Sequence, residues 1–114
     1  MCGIAGIINF QSPINEHQEI VYKFHKDLEH RGPDAKGYYF SPESNALLCQ
    51  TRLYIIDTSE NANQPIESYD KRFNIIFNGE IYNYKELNKL VYKKFNVRTK
   101  SDTEVLLYMY IEYG

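Results

Sequence analysis

The sequence has 114 residues and a formal net charge of −2, from 13 Lys and Arg against 15 Asp and Glu. This is one domain's worth of chain, able to bury a core, and its charge leaves no electrostatic footprint for nucleic acid. No apolar run approaches the ~18 residues of a membrane helix, and Met1–Phe10 is too short and too weakly basic for a signal peptide, so a soluble, cytoplasmic protein is expected. The 11 Tyr and absent Trp suit a thin, half-covered domain in which each ring packs while its hydroxyl stays wet. Cys2 and Cys49 form no CxxC or Cys/His metal spacing. Reduced thiols are expected, since disulfide frameworks belong to short secreted chains.

Met1-Cys2-Gly3 opens the chain. Cysteine is small enough for trimming of the initiator Met, which would leave Cys2 carrying a thiol and a free α-amine. Ordinary values near ~7.7–8.0 for the amine and ~8.5 for the thiol leave part of the amine neutral at physiological pH. Such an amine can activate its own side chain without a histidine. The same residues also read as an ordinary start to a buried strand.

The apolar, β-branched run Cys2–Phe10 predicts a strand buried on both faces in the middle of a sheet. After the break at Gln11-Ser12-Pro13, Asn15 with Gln18 predicts a helix start. Ile20, Val21, Phe24 and Leu28 form its apolar stripe, and Gly32-Pro33 its stop. His17, His25 and His30 fall on or beside its polar side and read as surface residues. Gly37–Phe40 and Ala46–Gln50 read as strands around a Ser41–Asn45 turn. Arg52–Asp57 reads as a further strand, followed by a polar loop over Thr58–Pro65.

Phe73–Phe77 carries the strongest strand signal and runs straight into Asn78-Gly79. Asn83 caps a predicted helix to about Tyr92, and Phe95–Thr99 is a short extended piece. Ser101-Asp102-Thr103-Glu104 has the pattern of a full capping box for a last helix over Asp102–Tyr113. That helix is apolar nearly all round and calls for cover on every side.

Beyond Cys2, two constellations carry chemistry. Asn78 and Gly79 place a side-chain amide and an approachable backbone N–H at a strand's end, the two donors of an oxyanion hole. A plain Asn-Gly hairpin turn fits the same residues. Arg52 can clamp a carboxylate and Asp102 can accept from an ammonium, so together they could hold an amino acid's head group. Singly, each also reads as a surface charge or a dipole-matching residue of a first helical turn. Asp57–Ala62 resembles a calcium loop only faintly, and Glu80 with Asp102 has no diagnostic glycosidase spacing.

Taken together, Met-Cys-Gly-Ile, His30-Arg31-Gly32-Pro33-Asp34 with Gly37, Arg52–Asp57, Gln64-Pro65, Phe77–Asn83 and Ser101–Glu104 occur in one order. That order resembles the class II, N-terminal-nucleophile glutamine amidotransferase domain, most closely that of glutamine-hydrolysing asparagine synthetases. The resemblance implies an α+β αββα sandwich with antiparallel sheets flanked by helices, of which residues 1–114 would be the N-terminal portion. It implies Cys2 as nucleophile with its α-amine as base, and Asn78 and Gly79 as the oxyanion hole. Arg52 would take the glutamine α-carboxylate, Glu80 and Asp102 its α-ammonium, with Ile55 and Ile56 lining the pocket. Cys49 matches no functional position.

The same resemblance implies a ligase-type partner arrangement for asparagine biosynthesis. L-Glutamine would be the substrate, and a synthetase domain in the same chain would use the ammonia, with a homodimer possible. No cofactor is expected in this domain, and ATP and Mg are expected only in the synthetase domain. A sugar acid as acceptor, or a non-catalytic glutamine-binding or assembly module with Met1 retained, stand as alternatives. No nucleic-acid or membrane partner is expected.

Overall fold

The computed structural model describes residues 2–8, 16–43, 45–54 and 59–114. The expected cap Asn15, the turn at Gln11-Ser12-Pro13 and the pocket residues Ile55 and Ile56 lie outside the described residues.

The first layer is a three-stranded antiparallel sheet in the order β1-β3-β2, with β1 at Gly3–Ile7, β2 at Ala35–Ser41 and β3 at Ala46–Arg52. Gly3 faces Thr51 and Ile7 faces Leu47 on one side of β3, while Gly37 faces Gln50 on the other. Helix α1, His17–Leu28, lies on this sheet. Its buried Val21, flanked by Ile20 and Phe24, packs with Leu47, Cys49 and Phe40. The predicted stripe is therefore the buried one. A 3-10 turn over Glu29–Arg31 closes the helix before Gly32.

Gly32 and Gly37 are dictated by close packing. A Cβ at Gly32 would sit 2.5 Å from the Arg52 nitrogen and the Thr51 carbonyl carbon, and one at Gly37 would sit 1.9 Å from the Gln64 carbonyl oxygen. No side chain fits at either place.

The second layer pairs β4, Ile66–Glu67, with β5, Asn74–Ile75, in a short antiparallel ladder. Helices α2, Tyr84–Tyr92, and α3, Asp102–Tyr113, pack together around Val91, Val105 and Tyr108. Phe95 stacks on Tyr108 with ring centroids 4.7 Å apart. The architecture is α+β with antiparallel sheets and flanking helices, as the resemblance implies.

Several expectations need correction. β1 is an edge of the described sheet, not its middle, and Ile4 and Ile8 are exposed. The central place goes to β3, whose Leu47, Cys49, Gln50, Thr51 and Arg52 are all buried. Arg52 ends β3 and does not begin a new strand, and Leu53 and Tyr54 carry no strand pairing. Phe95–Thr99 is likewise unpaired. β5 is only two residues long, because the backbone of Phe77 bonds to glutamine side chains in place of a neighbouring strand.

The capping box forms by half. Ser101 caps α3 by accepting from the Thr103 N–H at 3.1 Å. Glu104 turns the other way and accepts from the amides of Arg98 at 2.9 Å and Thr99 at 2.7 Å, and from the Thr99 hydroxyl at 2.5 Å. With no exposure at all, this carboxylate must be fully bonded to be tolerated, and it ties the preceding loop to α3. Asn83 precedes α2 without a side-chain cap bond. Nor are two of the histidines plain surface groups: His25 Nε2 bonds to the Gly37 carbonyl at 2.9 Å, and His17 stacks on Phe40. Cover on α3 is uneven, with Val105, Leu107 and Tyr108 buried and Tyr110 and Tyr113 exposed. Among the described residues no helix is long and apolar enough to cross a membrane.

Candidate active site

Cys2 stands at the head of β1, half-buried, where the sheet meets the second layer. The Leu53 N–H donates to its Sγ at 3.4 Å, and the thiol reaches the Leu53 carbonyl at 3.7 Å. The first contact is one that a thiolate keeps and the second one that it gives up. Arg31 donates through Nε to the Cys2 carbonyl at 3.2 Å, so the main chain of Cys2 is held from one side and its sulfur from the other.

The segment His30–Asp34 provides that geometry. Arg31 reaches Cys2, and Gly32 lets the backbone close on Thr51 and Arg52. The Asp34 N–H donates to the Arg52 carbonyl at 3.0 Å, and Asp34 Oδ2 accepts from the Tyr54 N–H at 2.8 Å. One turn thus fixes both Cys2 and the chain on either side of Leu53.

A cavity of about 90 Å³ opens beside Cys2, lined among others by Arg52, Leu53, Gly79, Glu80 and Asp102. It is well below the ~300–1,000 Å³ of sites for drug-sized ligands, which favours a small molecule or part of one. Arg52 is buried, donating through Nη1 to the Ser59 carbonyl at 3.0 Å and to Asn63 Oδ1 at 2.7 Å, with its guanidinium 4.7 Å from the Tyr54 ring centre. These contacts fix the guanidinium of a residue that also lines the cavity. Asp102 is buried at the first turn of α3 and accepts through Oδ2 from the Ile81 N–H at 3.0 Å. That bond draws the Gly79-Glu80-Ile81 stretch against the helix start.

The structure therefore brings Cys2, Arg52, Gly79, Glu80 and Asp102 to one cavity. Asn78 adjoins Gly79 but is not among the lining residues, and Ile55 and Ile56 lie outside the described residues. The hairpin reading of Asn78-Gly79 is excluded, because the chain proceeds to α2 and not to a return strand. The second thiol is of another kind: Cys49 is sealed in the core, and burial pushes it up to about 11.

Sequence reasoning placed Arg31 at the negative end of the helix dipole and Thr103 in the capping box, and gave no part in the site to them or to Asp34, Gln50 or Gln64. Gln64, Ser101 and Thr103 also line the cavity. The signal for most of them was present in His30–Asp34, Gln64-Pro65 and Ser101–Glu104, but which partner each side chain meets depends on the fold.

The family model of the glutamine amidotransferase domain matches residues 1–114. The chain belongs to that family. It is similar to asparagine synthetase [glutamine-hydrolyzing] 1 of Bacillus subtilis, at 41% identity over 99% of this chain and 18% of that protein. Asparagine synthetase B [glutamine-hydrolyzing] of Escherichia coli is 35% identical over 100% of this chain and 20% of its own length. Amidase chry2 of Gibberella zeae is 32% identical over 100% of this chain and 18% of its own length. The chain thus spans about a fifth of the length of these curated relatives.

Proposed function

We propose that this domain hydrolyses the side-chain amide of L-glutamine to glutamate and ammonia through a thioester on Cys2. The observation that carries this is the convergence of Cys2, Arg52, Gly79, Glu80 and Asp102 on one small cavity from four separated parts of the chain.

With Met1 removed, the Cys2 α-amine takes the thiol proton and the thiolate attacks the amide carbon, forming the C–S bond. The Asn78 amide and the Gly79 N–H hold the oxyanion. Arg52 binds the α-carboxylate, and Glu80 and Asp102 the α-ammonium. The amine passes its proton to the leaving nitrogen, the C–N bond breaks and ammonia departs. Water then adds to the thioester, the C–S bond breaks, and glutamate and the free thiol are released.

Nothing in these steps calls for a cofactor. The names of the relatives support a further proposal, that the ammonia serves an asparagine-synthetase-type amidation in a synthetase domain of the same protein, where ATP and Mg would act. The test is glutamate release from L-glutamine by this chain and by Cys2→Ala. Glutamate formed by the wild type and abolished in the variant supports hydrolysis. Glutamine that binds without turnover identifies a binding module and refutes it.

A further inference from the structure

Phe77 lies two residues beyond the end of β5 and immediately before Asn78-Gly79. Both of its backbone polar groups are nevertheless engaged. Its N–H donates to Gln64 Oε1 at 2.6 Å, and its carbonyl accepts from Gln50 Nε2 across a longer 3.4 Å. Gln64 Nε2 donates onward to the Thr103 hydroxyl at 3.0 Å, in the first turn of α3 beside Asp102. Gln50 and Gln64 are 1% and 7% exposed, so their own side-chain amides depend on these bonds to be satisfied.

From this geometry we infer that Gln64, assisted by Gln50, is a positioning residue for the oxyanion-binding turn. The inference rests on the hydrolytic reading of the site. Gln64 is itself anchored, because its carbonyl lies hard against Gly37 of β2. Gln50 sits in the central strand two residues before Arg52. The two amides thus link the sheet that carries Cys2 and Arg52, the turn that carries Asn78 and Gly79, and the helix start that carries Asp102.

Phe77 transmits the restraint. Its ring lies directly under Gly79, where a Cβ would come within 2.6 Å of the ring carbon Cζ. A shift of Phe77 therefore moves the Gly79 N–H. A glutamine suits the Gln64 position because one planar group must accept from Phe77 and donate to Thr103. Misplacing a catalytic group by ~1 Å can cost on the order of 10²-fold in rate. The ground-state amide leans less on those donors, so the loss belongs in kcat and not in KM.

Gln64→Met keeps the length of the side chain and removes both bonds, and Thr103→Val removes only the onward one. Expected for Gln64→Met are a kcat lowered by roughly 10- to 100-fold, a glutamine KM within about threefold, and hydrogen exchange at least about tenfold faster at the Phe77 amide. The amides of Leu47 and Cys49 should keep their protection, which a general loss of stability would not allow. Thr103→Val should show the same pattern more weakly. An unchanged Phe77 amide overturns the brace, and an unchanged kcat with a loosened Phe77 overturns its link to catalysis. If the wild type releases no glutamate, the hydrolytic reading fails, while exchange at Phe77 still decides whether the brace exists.

Discussion

The Leu53 amide donates to Cys2 Sγ at 3.4 Å, across a sequence separation of 51 residues. This contact joins the head of β1 to the chain just past β3, next to Arg52. It places Cys2 and Arg52 at the same end of the sheet, where the pairing of Gly3 with Thr51 sets the distance between them.

Arg31 holds the other side of Cys2 through its carbonyl. Arg31→Ala removes a charge-assisted bond of the ~1.5–3 kcal/mol kind and frees the main chain of Cys2. The expected outcome is glutamate release slowed by about 10-fold or more with little change in KM, measured by steady-state kinetics.

Arg52→Ala and Asp102→Asn should act through binding. Loss of a charge-assisted contact to the glutamine head group is worth ~1.5–3 kcal/mol, so KM should rise by roughly 10- to 100-fold. Asp102→Asn keeps an acceptor for the Ile81 N–H, which separates the charge from the structural bond. An unchanged KM in either variant removes that residue from the clamp.

The Cys49 thiol predicts a pH effect on stability. Burial raises it from 9.0 to about 11 in the folded chain, so between those values the unfolded chain gives up its proton while the folded one keeps it. Stability should therefore fall as pH rises from about 9 through about 11. Urea denaturation across that range checks this, and Cys49→Ala should flatten the slope attributable to this group.

Glu104 is a fully buried carboxylate held by three donors. Glu104→Ala would leave the Arg98 and Thr99 amides and the Thr99 hydroxyl without their acceptor. A cost of ~1–3 kcal/mol for a buried donor left unsatisfied is expected, with Tm lowered by more than about 4 °C. Calorimetry or circular dichroism on heating measures it.

Much of this was legible in the sequence, and the exceptions are physical. The stripe Ile20, Val21, Phe24 reports burial by its spacing, and α1 followed. The order of their motifs singles out Cys2, Arg52, Gly79, Glu80 and Asp102, and these residues line one cavity. Strand length was misjudged where apolar runs met side chains in place of strands: Phe77 bonds to Gln50 and Gln64, so β5 stops early although its residues favour β structure. Glu104 has capping-box spacing, yet three donors upstream outcompete the Ser101 amide. Bonds of that kind depend on tertiary placement, which no local pattern encodes.

The nucleophile itself is tested most directly by intact-mass spectrometry after treatment with an electrophilic glutamine analogue at neutral pH. The expected product lacks Met1 and carries one adduct on Cys2, with the sealed Cys49 unmodified until the chain is unfolded. An adduct that persists in Cys2→Ala, or a wild-type chain that hydrolyses glutamine with Met1 still attached, would contradict catalysis by an N-terminal cysteine.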